Sequence, residues 1–212
     1  MSFNCCDNDP GFDGASGPYK RALWAVIAIN GIMFVVEMSA GMLSGSQALQ
    51  ADALDFLGDT ATYAITMFVI GMPLIWRTRA ALFKGLSLGA IGLWVFGSTA
   101  YQFLVLDVPR AEVMGAIGFL ALTANLISVL LLMKYRDGDA NVRSVWLCSR
   151  NDAIGNVAVM AAASGVWATQ TAWPDLIVAG IMAGLFLWSA TQIILQALRE
   201  RRQALSQPAV ET

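Results

Sequence analysis

Apolar residues run along this chain in long unbroken stretches, without the alternation of a half-buried strand or the single stripe of a surface helix. From Leu23 onward such stretches recur six times, at about 21–43, 47–75, 84–106, 112–133, 144–169 and 174–198. Crossing a hydrocarbon core ~30 Å thick takes about 20 helical residues, and each stretch supplies them. Gly and Ala recur inside them at helical spacing, which predicts helices and not barrel strands. The connections are short and carry turn chemistry: Leu43-Ser44-Gly45-Ser46, the Arg77–Lys84 segment, Asp107-Val108-Pro109-Arg110, Asp137-Gly138-Asp139 and Trp173-Pro174-Asp175.

The expected fold is therefore all-α: a polytopic membrane protein, a bundle of six transmembrane helices over 21–198. Residues 1–20 are expected as a disordered tail, being polar, Gly-rich and acidic (Asp7, Asp9, Asp13) with no signal-peptide pattern, and 199–212 as a second short tail. Lys20, Arg21, Arg77, Arg79, Lys84, Lys134, Arg136, Arg143, Arg199, Arg201 and Arg202 fall on one side of the predicted membrane, and Arg110 alone on the other. The positive-inside rule then puts both termini in the cytoplasm, for a multi-pass protein of the cell membrane.

Composition agrees. Of 212 residues 57% are apolar and only 13% charged, and mean hydropathy is +0.61, a surplus that no aqueous surface covers. A net charge of -2 with dispersed basic residues argues against a nucleic-acid partner. Three Cys and no His exclude a disulfide scaffold and every imidazole site. No GxxxxGK[ST] loop supports ATP-driven pumping. Small residues at helix-contact spacing, Gly41/Gly45, Gly85/Gly89 and Gly180/Gly184, fit close packing within the bundle or a homodimer seam between transmembrane helices.

The chemistry lies in the charges inside the spans: Glu37 in the first, Asp52, Asp55 and Asp59 in the second, Arg150 and Asp152 in the fifth. Each Asp at a helix centre costs ~2.5–3.5 kcal/mol on insertion scales, so something must offset them. Asp55 and Asp59 are four apart and share one helix face, where two carboxylates repel unless a cation or protons sit between them. Cys148 and Asp152 repeat the spacing on the fifth span. Two helices with one pair each offer the four donors of a tetrahedral divalent metal, with sulfur favouring zinc or cadmium and carboxylates admitting manganese, iron or cobalt. The bland alternatives are a structural salt bridge for the Asp pair, packing for Cys148, and second-sphere support or an aqueous-facing position for Asp52. Arg150 is expected to snorkel to the interface or to balance site charge. Glu37, Asn30, Asn125, Asn151 and Asn156 are expected to hydrogen-bond between helices, and Cys5-Cys6 to be idle, to catch a soft cation or to carry a lipid.

The stretches Ser46-Gln47-Ala48-Leu49-Gln50-Ala51-Asp52-Ala53-Leu54-Asp55-Phe56-Leu57-Gly58-Asp59 and Trp146-Leu147-Cys148-Ser149-Arg150-Asn151-Asp152-Ala153-Ile154-Gly155-Asn156 resemble the second- and fifth-span signatures of the cation diffusion facilitator family of metal transporters. The resemblance extends from about Lys20 to Arg202. It implies that Asp55, Asp59 and Asp152 are intramembrane metal ligands, with Cys148 standing where His is usual. It implies export of a divalent metal ion as substrate, zinc first, in exchange for protons, with no organic cofactor and no enzymatic turnover. Two features depart from the family: the sequence reads as ending before the usual cytoplasmic C-terminal domain, and Lys134 to Arg143 has no His-rich loop. Two other classes compete, an intramembrane aspartyl hydrolase using Asp59 and Asp152, which leaves Asp55 and Cys148 unexplained, and a passive cation channel.

Overall fold

A computed structural model describes residues 16–69, 74–105, 107–136 and 140–206, with side chains on the fifth helix from Ser149 onward. Six long helices account for them: α1 (Gly17–Ser44), α2 (Gln47–Val69), α3 (Leu74–Val105), α4 (Ala111–Leu132), α5 (Ala140–Thr169) and α6 (Trp173–Ser206), with one 3-10 turn (Met133–Tyr135) after α4. The chain is a polytopic all-α membrane protein. Four of the described helices, α1, α3, α4 and α6, contain stretches long and apolar enough to cross a membrane by themselves. α2 and α5 carry the acids, and packing supplies what their composition lacks: α2 touches α1, α3, α5 and α6, and α5 touches α2, α4 and α6.

The helix ends follow local chemistry. α1 starts at Gly17, before its apolar run, because the Ser16 hydroxyl accepts from the Tyr19 N–H and Pro18 lies in the first turn. It stops at Gly45, whose φ of 75° is left-handed and whose N–H returns to the Gly41 carbonyl. The three hairpin connections meet at this end. Arg110 donates its backbone N–H to the Ser44 carbonyl and its guanidinium to the Leu43 carbonyl, and Asp175 reaches the start of α2. The loop end of the bundle is thus laced across all three hairpins.

Two apolar clusters bracket the bundle's middle. At the loop end Ala48, Leu49 and Ala51 of α2 pack with Val95, Met114, Val159, Ala163 and Phe186 of the other helices. Toward the opposite end Tyr63 packs with Tyr19, Leu23, Val26, Ile27 and Leu132, and Tyr19 meets Tyr135 edge-on at 5.1 Å. Residues 52–62 of α2, including its acids, lie between these layers. Outside, Leu93, Trp94, Phe119, Leu130, Ile181, Leu185 and Trp188 are exposed, as lipid-facing residues are.

The small-residue pairs divide. A Cβ on Gly41 would sit 2.9 Å from Gln50 Cγ and 3.0 Å from the Gln50 backbone N, so α1 and α2 need this glycine to approach. Gly45, its partner in the pattern, instead ends the helix. Gly85 and Gly89 face Ile194 and Ala190, joining α3 to α6. Gly180 and Gly184 are exposed, and among the described residues nothing lies within 4 Å of where a Cβ would sit.

Candidate metal centre

Asp55 and Asp59 stand one turn apart on α2 and are partly buried. The helix they share fixes their separation, while the third acid comes from α5. Asp152 lies within hydrogen-bonding reach of both Asp55 and Asp59. Asp152 of α5 thus approaches each of the two α2 acids in the part of the bundle between the apolar clusters. These acids do not close into a preformed cage: among the described residues no group of three or more His, Cys, Asp or Glu side chains converges tightly enough to hold a metal ion. Cys148 lies one turn before Asp152 on α5, but its side chain falls outside the described residues.

A tyrosine, a serine and a lysine lie about Asp59. Tyr63, a turn beyond Asp59, donates its hydroxyl to Asp59 Oδ2 and lies 3.5 Å from the buried Ser149 hydroxyl of α5. Lys84 of α3 is close enough to attract Asp59. Sequence reading missed Tyr63, Ser149 and the role of Lys84. Tyr63 could have been found, since it extends the Asp55/Asp59 spacing by one more turn.

A second polar group lies one turn nearer the loop end. Asp52 is 1% exposed, which excludes an aqueous-facing position. Its Oδ2 accepts from Asn156 Nδ2 at 2.6 Å, and Asn156 Oδ1 accepts from Asn125 Nδ2 at 2.9 Å, so α4, α5 and α2 are joined by a directed chain. Glu37 of α1 faces Asp52. Of the other amides, Asn30 is buried, and among the described residues neither its Oδ1 nor its Nδ2 makes the expected interhelical hydrogen bond. Asn151 accepts from its neighbour Arg150 on its own helix at 3.3 Å, and Arg150 is exposed. Cys5 and Cys6 lie outside the described residues.

At the loop end Asp175, 1% exposed at the start of α6, accepts from the Ser46 hydroxyl, the Gln47 N–H and the Ala48 N–H. It caps α2 from another helix, which fixes the height of the α2 acids in the bundle.

The sequence model of a cation efflux transmembrane domain matches residues 23–72 and 76–200. The metal cation efflux system protein CzcD of Cupriavidus metallidurans is 28% identical over 195 residues, covering 85% of this chain and 61% of its own length. The zinc transporter ZitB of Escherichia coli is 30% identical over 197 residues, covering 85% of this chain and 62% of its own length. This chain thus spans about three fifths of the relatives it matches.

Proposed function

We infer the function from the family to which this chain belongs, the cation diffusion facilitators, whose cation efflux transmembrane domain it carries. We propose that it exports divalent transition-metal ions, zinc first, from the cytoplasm across the cell membrane in exchange for protons, crossing the membrane six times with both termini inside. Residues 21–198 act as the transmembrane domain between cytoplasmic segments 1–20 and 199–212. The cargo is held by Asp55, Asp59 and Asp152, with the Cys148 thiolate as the soft fourth donor.

The observation that carries this reading is the approach of Asp152 to both α2 acids between two apolar layers. Carboxylates so placed repel unless something positive joins them, and a metal ion and protons are alternative occupants. Exchange follows: cargo entering from the cytoplasm displaces protons, the helices rock, and protons from outside displace the cargo. Sulfur at Cys148 disfavours magnesium and calcium against softer ions.

The test is zinc uptake into inside-out proteoliposomes under an imposed pH gradient. Asp55→Asn and Asp59→Asn are expected to lower flux by about tenfold or more, since even residues that only support ligands are worth ~10–100-fold in affinity. Undiminished flux in both would overturn the site, and zinc flux indifferent to the proton gradient would leave a channel. A cleaved membrane substrate insensitive to chelators would favour the hydrolase.

A further inference from the structure

Glu37 is the most enclosed charged side chain of α1, at 0% exposed, yet among the described residues no donor reaches Oε1 or Oε2. What it faces is another acid, Asp52 of α2. Asp52 in turn is held by the amide chain from Asn125 through Asn156, whose last donor, Asn156 Nδ2, points at Asp52 Oδ2. A buried acceptor facing a buried acceptor is the costliest arrangement available, and one proton between the two oxygens makes it a hydrogen bond. The amide chain supplies the polarity. Each amide donates toward α2, so Asp52 is the acceptor at its end and Glu37 is the group left to carry the hydrogen.

We propose that Glu37 and Asp52 form a proton-binding site of their own, holding one shared proton in the cargo-free protein, one helical turn from the cargo carboxylates. The inference rests on the transport reading above and adds a proton carrier outside the cargo ligands. The titratable groups facing Glu37 are Asp52 and Asp55, both on α2. α4, the other helix packed on α1, presents no titratable side chain on its buried face; its one charged residue, Glu112, is exposed in the first turn. Neither α2 nor α4 carries a Lys or Arg; of the helices packed on the Asp52 side, α3 brings Lys84, which acts on Asp59, α5 brings Asp152 beside Asp55 and Asp59 and the exposed Arg150, and α6 brings Asp175, held at the start of α2. A divalent ion arriving at Asp55 places positive charge one turn away, so the shared proton leaves to water and the pair remains as two carboxylates attracted by the cargo.

Infrared spectra and proton counts on the protein in lipid nanodiscs test this. Metal-free wild type at neutral pH is expected to show the C=O stretch of a buried protonated carboxyl that zinc abolishes and that Glu37→Gln lacks. Titration calorimetry in buffers of different ionisation heat is expected to show about one proton fewer released per zinc in Glu37→Gln, with zinc still bound. Glu37→Asp keeps the acid and should shift that band, which covers the case in which Glu37→Gln does not fold. A band unmoved by Glu37→Asp, or a wild-type proton count in Glu37→Gln, would overturn the proposal. Loss of zinc flux control by Asp55 and Asp59 would instead overturn the transport reading, because the metal-free carboxyl band does not depend on it.

Discussion

The Asp175 carboxylate accepts the Ser46 hydroxyl at 2.6 Å, joining the first turn of α6 to the residue that precedes α2, across 129 positions of sequence. With the Gln47 N–H at 2.8 Å and the Ala48 N–H at 3.1 Å it satisfies three donors at the start of the helix that bears Asp55 and Asp59. Ser46 also accepts the Leu49 N–H at 3.0 Å, so side chains from two helices share the capping of α2.

Asp175→Ala should therefore destabilise the bundle by about 1–3 kcal/mol for each buried donor it strands, less whatever water replaces. Thermal unfolding of the purified protein in detergent, followed by tryptophan fluorescence, measures it. Asp175→Asn, which keeps two of the contacts, should fall between wild type and Ala; no loss in either variant would show that α2 holds its place without the cap.

Gly41 and Gly180 should respond oppositely to the same methyl group. At Gly41 the new Cβ meets Gln50 backbone at 3.0 Å, so Gly41→Ala forces α1 and α2 apart at a cost of about 1–3 kcal/mol. At Gly180 it meets open space, and Gly180→Ala should gain about 0.5–1 kcal/mol in helix propensity. Unfolding midpoints compare the two directly. If Gly180→Ile and Gly184→Ile leave cross-linking between chains unchanged, those glycines are not a dimer seam.

Tyr63→Phe removes the hydroxyl given to Asp59 while keeping the ring in its apolar cluster. Stability should fall by about 0.5–1.5 kcal/mol. Zinc affinity should change more than the unfolding midpoint does, because a hydroxyl on a ligand competes with the cargo for the same oxygen. Equal zinc binding isotherms would remove Tyr63 from the site.

Replacing Cys148 by His or Ser should reorder transport of zinc, cadmium and manganese, with cadmium losing most when sulfur is removed. Flux ratios for the three ions in one vesicle preparation report this independently of expression. An unchanged order would make the thiol a packing residue.

What could be read in advance follows from what is local. Unbroken apolar runs specify helices because a membrane tolerates no unpaired backbone, and the four-residue spacing of Asp55 and Asp59 specifies one face because the α-helix has 3.6 residues per turn. Asn125 and Asn156 were legible as interhelical donors, since an amide in an apolar span has little else to bond.

Partners were not legible, because each acid or glycine could face any neighbouring helix or the lipid. Only packing decides that Gly41 seats against α2 while Gly180 faces outward, that Glu37 lies against Asp52, and that Asp175 caps a helix other than its own. By itself the sequence determines the helices, their spacing rules and the kinds of donor inside them, all set by bonds along one chain. Tertiary structure alone decides which donors meet, since that depends on the rotation and height of each helix, and these are set by side chains distant in the chain.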